Sequence, residues 1–179
     1  MKPLVMLYGP PAVGKRTLAI ELQRRLPFVL VENQHSVQLA REFFEAGTKP
    51  FFELSSALRQ TVLEHLAHCS DAPGVILTYC YWGKSAPFLA FVRRHFALFA
   101  VRLHCPLDAL HQRVCSAERA GLGKIASVAE LEALRVGENL AAIVPGTLLD
   151  VEMSATPPSL SADRISNVVQ QRMSQASPQ

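Results

Sequence analysis

The sequence has little of what membrane, secreted or nucleic-acid-binding proteins depend on. Its 179 residues contain no apolar run near the ~20 residues that span a bilayer, so we expect no membrane partner. Its 4 cysteines form no C-x-x-C pair, which predicts a reduced, cytoplasmic location. The net charge of +3 comes without a basic stripe interleaved with aromatic residues, which disfavours nucleic acid as a partner. A G-x-S-x-G elbow is also absent, so a serine hydrolase is unsupported.

The composition is that of one compact domain. Hydrophobic residues make up 49% of the chain and charged residues 18%, which is typical of a globular protein rather than a disordered one. The length fits a single domain, which we place at residues 1–173. Residues 174–179 (SQASPQ) are expected to form a disordered tail.

Apolar runs alternate with helical periodicities along this domain. Strands are predicted at residues 4–8, 27–31, 74–81, 96–103 and 147–153. Helices are predicted at about residues 36–46, 51–68 and 85–95 and from residue 161, the second with an apolar stripe of Leu54, Leu58, Val62 and Leu66. This alternation predicts an α/β three-layer sandwich around a five-stranded parallel sheet. Ligands bind beyond the carboxyl ends of such strands, so the candidate functional residues are those that follow strands.

The segment GPPAVGKRT at residues 9–17 follows the first predicted strand and has the G-x-x-x-x-G-K spacing of a phosphate-binding loop. Gly9 and Gly14 let the backbone curl so that several N–H groups point inward, and the following helix adds its positive end. Lys15 supplies a mobile charge that can follow the β- and γ-phosphates of a nucleotide. The alternative is a strand-to-helix turn that binds nothing. The predicted nucleotide-binding residues are Gly9, Pro10, Pro11, Ala12, Val13, Gly14, Lys15, Arg16 and Thr17.

Arg16 departs from the pattern of this loop. It stands where a serine or threonine hydroxyl normally binds Mg²⁺, and a guanidinium has no lone pair to offer a metal. Thr17 lies about 100° further round the helix, where we expect it to touch a phosphate. Any metal role of Thr17 is therefore weak, with Mg²⁺ held mainly by nucleotide oxygens and water.

The order of features resembles small P-loop kinases such as shikimate kinase, gluconate kinase and chloramphenicol phosphotransferase. The resemblance spans most of residues 3–170 and is carried by GPPAVGKRT, a polar cluster after strand two, PFFELSSALR, GVILTYCY, AVRLHCPLDALHQRV and GLGK. Only the loop motif is specific. The resemblance implies a P-loop NTPase fold with ATP and Mg²⁺ as cofactors. It also implies transfer of the γ-phosphate of ATP to a small hydroxylated metabolite.

The resemblance implies roles near the ends of strands two and three. Glu32 would aid the acceptor hydroxyl as a catalytic base, although a surface-exposed strand end explains it equally well. Arg59 resembles an acceptor-binding arginine, but it lies off the apolar stripe and could equally be a solvated helix charge. Tyr81, with Trp82, would form a stacking wall for the acceptor or belong to the edge of the core. The implied substrate-binding residues are Asn33, His35, Arg59 and Tyr81.

The resemblance also implies a lid over the nucleotide at about residues 117–127, which ends where a capping-box pattern at residues 127–130 starts another helix. Arg113, Arg119 and Lys124 are candidate lid cations, because phosphoryl transfer spreads negative charge over oxygens that a cation stabilises. Arg113 and Arg119 join Lys15 and Glu32 as the predicted catalytic residues. The alternative for the three lid cations is a solvated basic surface.

Two further departures bear on activity. The family's aspartate after strand two is absent, and Thr78-Tyr79 stands where many P-loop enzymes carry a magnesium-organising aspartate. With Arg16, they support a second hypothesis, a nucleotide-dependent binding or regulatory module with little or no phosphotransferase activity. A third, a degenerate structural relative, predicts no nucleotide binding. The sequence leaves open the acceptor, the choice between ATP and GTP, and the oligomeric state.

Overall fold

The computed structural model of the protein describes residues 1–68, 71–80, 85–116, 124–137 and 143–176. Its sheet consists of β1 (Lys2–Tyr8), β2 (Val29–Glu32), β3 (Val75–Tyr79), β4 (Phe96–His104) and β5 (Leu149–Glu152). All neighbouring strands are parallel, in the order β2-β3-β1-β4-β5. Tyr8 lies opposite Tyr79, and Glu32 lies opposite Thr78, so β1, β2 and β3 end at one edge of the sheet. The predicted five-stranded parallel sheet is confirmed.

Helices cover both faces of this sheet. The described helices are α1 (Lys15–Gln23), α2 (Asn33–Arg41), α3 (Lys49–His68), α4 (Ala86–His95), α5 (Leu107–Val114), α6 (Val128–Gly137) and α7 (Pro158–Ala176). Successive side chains of a strand point to opposite faces. Accordingly, Val5 and Leu7 pack in one core with α1 and α7, and Leu4 and Met6 pack in a second core with α3 and α4. None of the described helices is long and apolar enough to cross a membrane.

Several element boundaries differ from the predicted ones. α2 begins directly after β2 rather than near residue 36, because the backbone N–H of Asn33 leaves the strand to donate to Thr78 Oγ1 on β3, at 3.1 Å. α7 begins at Pro158, where the missing N–H of a proline costs no helical hydrogen bond. α7 continues to Ala176, so the prediction of a disordered tail is wrong for residues 174–176.

The capping box predicted at residues 127–130 is present at the start of α6. Ser127 Oγ accepts a hydrogen bond from the backbone N–H of Glu130, and the Glu130 carboxylate accepts one from the backbone N–H of Ser127, both at 3.2 Å. The backbone N–H of Ala126, followed by the Ser127 hydroxyl, lowers the pKa of Glu130. These bonds fix the point at which α6 begins, at the end of the predicted lid segment.

α3 buries a different stripe from the one that the sequence indicates. Its buried side chains are Phe51, Ser55, Arg59 and Leu63. Val62, from the apolar stripe, is instead 46% exposed. Two of the four buried side chains are polar, so a search for hydrophobic periodicity predicts the neighbouring stripe of leucine and valine as the buried face. The correction moves Arg59 from the helix surface to the buried face.

Candidate functional site

The loop that joins β1 to α1 is shaped by its backbone. Gly9, Ala12 and Gly14 have positive φ angles of 155°, 65° and 105°. At Gly9 a Cβ atom would lie 2.2 Å from the carbonyl oxygen of Leu103, so no other residue fits without a movement of β4. α1 begins directly after Gly14 and directs the positive end of its dipole at the loop. The loop thus has the curled backbone that an anion-binding nest requires.

Lys15 lies across this loop. Its Nζ donates hydrogen bonds to the carbonyl oxygens of Gly9, at 2.8 Å, and Pro10, at 2.6 Å. The side chain is half-buried, so its positive charge is held beside the first two residues of the loop. The structure therefore brings Lys15 and the predicted nucleotide-binding residues together.

Arg113 reaches the same loop from α5. Its Nη2 donates to the carbonyl oxygen of Met153 at 2.8 Å, and its Nη1 donates to that of Val13 at 3.3 Å. The guanidinium thereby joins the loop to the residue that follows β5. Arg113 is adjacent to the loop, and these bonds give it a supporting position. Its role as a lid cation remains a prediction.

The turn after β5 is organised by Glu152. Its carboxylate accepts hydrogen bonds from the hydroxyl and the backbone N–H of Ser154 and from the backbone N–H of Ala155. The Ser154 hydroxyl contributes most to the lowered pKa of Glu152. Nearby, burial raises the pKa of the Cys105 thiol, against the opposing charge of Arg113. The turn presents the Met153 carbonyl to Arg113.

Arg16 forms an ion pair with Glu32. Its Nε lies 2.9 Å and 3.0 Å from the two carboxylate oxygens of Glu32. The ion pair links the first turn of α1 to the end of β2. The Arg16 side chain is largely exposed, whereas that of Glu32 is mostly buried. The residue that departs from the loop pattern is therefore bound to the carboxylate that we predict as the catalytic base.

The residues at this edge do not fit a directly coordinated Mg²⁺, which requires oxygen ligands in an octahedral arrangement. A guanidinium stands at the position of the usual hydroxyl, and the Glu32 carboxylate is bound to it. Thr78 Oγ1 accepts the backbone N–H of Asn33. Among the described residues, no group of three or more His, Cys, Asp and Glu side chains could hold a metal. Thr17 is exposed in the first turn of α1, and its metal role remains a prediction.

Arg59 is the buried cation of a second cluster. It is only 9% exposed, and its Cζ lies 5.1 Å from the ring centroids of both Tyr79 and Phe88. Its Nη1 donates to Oδ1 of Asn33, and its buried Nε has no hydrogen-bond partner among the described residues. Burial lowers the pKa of the guanidinium, and the nearby Tyr79 and Cys80 side chains oppose that shift. In the described part of the chain, no carboxylate is paired with Arg59.

Two consecutive residues connect this cluster to the loop. Glu32 binds Arg16 beside the loop lysine, and Asn33 binds Arg59 on α3. His35 lies in the first turn of α2 with its side chain exposed. Glu32, Asn33, His35 and Arg59 thus lie near one another after β2, and their roles in binding and catalysis remain predictions. Tyr81, Trp82 and Arg119 lie outside the described residues, and Lys124 is half-buried at the start of a described segment.

Sequence reasoning missed three side chains at this edge. Tyr79 and Phe88 enclose Arg59, and Tyr79 donates its hydroxyl proton to Ser85 Oγ at 3.0 Å. Tyr8 precedes the loop, and its hydroxyl lies 2.6 Å from Thr147 Oγ1 and accepts the backbone N–H of Val144 at 3.1 Å. The available signal was position, because Tyr8 and Tyr79 are the last residues of β1 and β3.

No protein-family model and no curated protein matches the sequence. Solved structures do match. A sugar kinase from Janibacter sp. HTCC2649 is 12% identical over 99% of this chain and 100% of its own, with a TM-score of 0.67. A shikimate kinase from Acinetobacter baumannii in complex with shikimate is 20% identical over 99% and 97%, with a TM-score of 0.66. A gluconokinase from Sinorhizobium meliloti 1021 is 15% identical over 98% and 98%, with a TM-score of 0.65.

These identities are low, so the comparisons concern the fold. The sheet is all-parallel, its helices lie on both faces, and the alignments extend over nearly the whole of each chain. The chain has the α/β fold of the shikimate- and gluconate-kinase-like P-loop kinases.

Proposed function

We propose that this chain is a phosphotransferase that moves the γ-phosphate of ATP to a hydroxyl group of a small acidic metabolite. The observation that carries this proposal is that Arg16, the neighbour of Lys15 in the loop, binds Glu32, while the next residue, Asn33, binds Arg59. A phosphate-binding loop and a buried cation suited to an anionic acceptor therefore share one edge of the sheet. Structures of small-molecule kinases with the same fold support the reaction class.

The loop supplies the nucleotide end. Its backbone N–H groups and Lys15 would hold the β- and γ-phosphates, and Arg113 would keep Val13 in place. The acceptor oxygen attacks the γ-phosphorus, the bond from that phosphorus to the bridging oxygen breaks, and ADP leaves. Glu32 takes the proton of the acceptor hydroxyl, with its carboxylate oriented by Arg16. Arg119 and Lys124 remain predicted lid cations, and no step is assigned to Mg²⁺.

Arg59 supplies the acceptor end. A buried charge is costly without a partner, and the groups around Arg59 are two aromatic rings and a neutral amide. An anionic group on the acceptor would provide the missing partner for Nε. The shikimate bound to the Acinetobacter baumannii enzyme is such a hydroxylated acid. We therefore propose a hydroxy acid as the acceptor.

The ion pair between Arg16 and Glu32 favours a second candidate, a nucleotide-dependent binding or regulatory module. The pair occupies both the hydroxyl position of the loop and the predicted base. A protein of this kind would bind ATP and release almost no ADP, with or without an acceptor. Turnover in the presence of an acceptor therefore separates the two candidates.

Titration with ATP and GTP by calorimetry tests the nucleotide end, and release of ADP with a panel of hydroxy acids tests transfer. We expect Lys15→Ala to weaken ATP binding at least tenfold, or about 1.4 kcal/mol. Lys49→Ala is the matched control, because Lys49 is exposed on α3 and pairs with the exposed Glu53 at 3.6 Å. Unchanged affinity in Lys15→Ala would contradict the proposal. ATP binding without ADP release from any acceptor would favour the regulatory module.

A further inference from the structure

A cavity of about 280 Å³ lies between β2, α2 and α3, beside the Arg59 cluster. Of the described residues that line it, seven are aliphatic, and the four polar ones are Glu32, His35, Ser36 and Arg59. The polar residues belong to one end, because Glu32 ends β2, His35 and Ser36 begin α2, and Arg59 binds the intervening Asn33. The cavity therefore has a charged end at the candidate acceptor site and an apolar remainder.

The apolar remainder extends along the outer side of the sheet. β2 is an edge strand, so its open side faces the cavity rather than another strand. The length of β2 and the spacing from Leu58 to Leu66 on α3 both correspond to roughly 10 Å. Val29, Leu39 and Val62 line the cavity while remaining partly exposed to solvent. The cavity is thus an open apolar groove with one charged end.

The two stripes of α3 have different partners. In the buried stripe, Leu63 packs in the core and Arg59 also reaches the charged end of the groove. The apolar part of the groove is lined by Leu58, Val62 and Leu66 of the neighbouring stripe. The apolar stripe that is visible in the sequence is therefore only partly used by the core. A bound molecule with an apolar arm would remove the groove side of these residues from water.

We propose that this groove binds the apolar arm of the acceptor, whose anionic group meets Arg59. The acceptor is then an amphiphilic hydroxy acid with an aliphatic or aromatic arm, rather than a polyhydroxylated sugar acid. This inference rests on the proposed function only in taking the groove ligand to be the acceptor. Charge complementarity supports it. Within the described part of the chain, the buried Nε of Arg59 has no partner, and Glu32, the one carboxylate among the lining residues, is paired with Arg16.

The same physical argument disfavours a polyol in the groove. Hydroxyl groups along an arm would lose their hydrogen bonds to water against the aliphatic wall, and such unpaired polar groups are costly to bury. His35 is exposed and Ser36 is buried at the charged end, so polar contacts are concentrated there. The distribution of lining residues therefore fits a ligand with one polar end.

Calorimetric titration of the full chain with butanoate, hexanoate and octanoate tests the groove without any need for turnover. We expect affinity to rise about fourfold per methylene, because each buried methylene contributes ~0.8 kcal/mol. Octanoate should also bind more tightly than 1-octanol, which has the same chain length without the charge for Arg59. Gluconate should bind more weakly than octanoate.

Val62→Trp should fill the groove and abolish the gain in affinity with chain length. Leu160→Trp is the matched control, because Leu160 is an aliphatic residue of α7 that is 57% exposed and does not line the groove. Both sites are partly exposed, so both variants are expected to fold.

A gain with chain length that Val62→Trp removes and Leu160→Trp preserves would establish the groove as the ligand site. The inference would be overturned if affinity did not rise with chain length, or if the rise persisted in Val62→Trp. The absence of a rise is also the result expected if the groove binds an added peptide strand instead. ATP binding in the same preparation distinguishes the failures. Tight ATP binding without a chain-length gain removes the groove and leaves the phosphotransferase proposal standing. A gain in affinity with chain length in a protein that does not bind ATP would keep the groove as a ligand site and remove the phosphotransferase proposal.

Discussion

The loop after β1 and the Arg59 cluster after β2 lie at the same edge of the sheet, but they are built in opposite ways. The loop is local, because positive φ angles at Gly9, Ala12 and Gly14 curl six consecutive residues and Lys15 bonds back to their carbonyl oxygens. The Arg59 cluster is assembled from α2, β3, α3 and α4. A motif can therefore be found in the first region, whereas the second depends on packing between distant segments.

Gly9→Ala tests the loop with the largest expected effect. The added Cβ would lie 2.2 Å from the Leu103 carbonyl oxygen, so the loop must move away from β4. We expect ATP affinity to fall at least ~100-fold and the free energy of unfolding to fall by roughly 3 kcal/mol. Calorimetry and urea denaturation measure the two quantities.

Gly47→Ala is the control for Gly9→Ala. Gly47 also has a positive φ, of 89°, but no atom lies within 4 Å of an added Cβ. The free energy of unfolding of this variant should be lower by only about 1 kcal/mol, through backbone strain, and its affinity for ATP should be unchanged. Equal losses in the two variants would show that backbone strain, rather than the close contact with β4, is what excludes a side chain at Gly9.

Arg59→Met tests the assembled cluster and should separate its effects from those of the loop. Replacement of a buried charge by an apolar side chain is often neutral for stability, so we expect a change within about 1 kcal/mol. Loss of a buried charge pair with the acceptor costs ~2–5 kcal/mol, so kcat/KM for a hydroxy acid should fall at least ~30-fold. ATP affinity should be unchanged. A variant that loses ATP binding while remaining folded would contradict the separation of the two regions.

Arg16→Ser tests the contact between the two regions. In the wild type the residues do not fit a directly bound Mg²⁺, so removal of magnesium should change ATP affinity little. The serine hydroxyl of the variant restores a metal ligand, and Mg²⁺ should then increase ATP affinity roughly tenfold, or about 1.4 kcal/mol. Arg24→Ser is the control, because Arg24 is exposed on α1 and pairs with Glu21. A large effect of Mg²⁺ on the ATP affinity of the wild type would contradict the conclusion that these residues do not fit a directly coordinated Mg²⁺.

Glu130→Gln should have the smallest effect, and it tests local structure outside both regions. Hydrogen bonds from Ala126 and Ser127 hold the pKa of Glu130 below its ordinary value of 4.5. A lowered folded-state pKa stabilises the protein above the unfolded-state pKa, and this contribution disappears as pH falls through the folded-state value. The wild type should therefore be more stable than the variant at pH 7, and the difference should diminish below pH 4.5. Urea denaturation across pH measures it, and a constant difference would contradict the ionic cap.

The sequence predicted the order and type of the elements and the residues of the loop, but it misplaced the buried face of α3. The reason is that Ser55 and Arg59 occupy core-facing positions and break the hydrophobic pattern, while Leu58 and Val62 imitate a core stripe beside a groove. It also predicted Glu32 as a base without its partner. Arg16 and Glu32 are 16 positions apart, and no local pattern pairs them.

By itself, therefore, the sequence determined what depends on neighbouring residues. The alternation of strand and helix follows from side-chain periodicity, and the curled loop follows from glycines that tolerate positive φ. Tertiary structure alone decided which cation is buried, which carboxylate is paired and which aliphatic side chains face a groove. These properties are set by the side chains that parallel crossovers bring together from remote positions, and burial makes their energies depend on that complete environment.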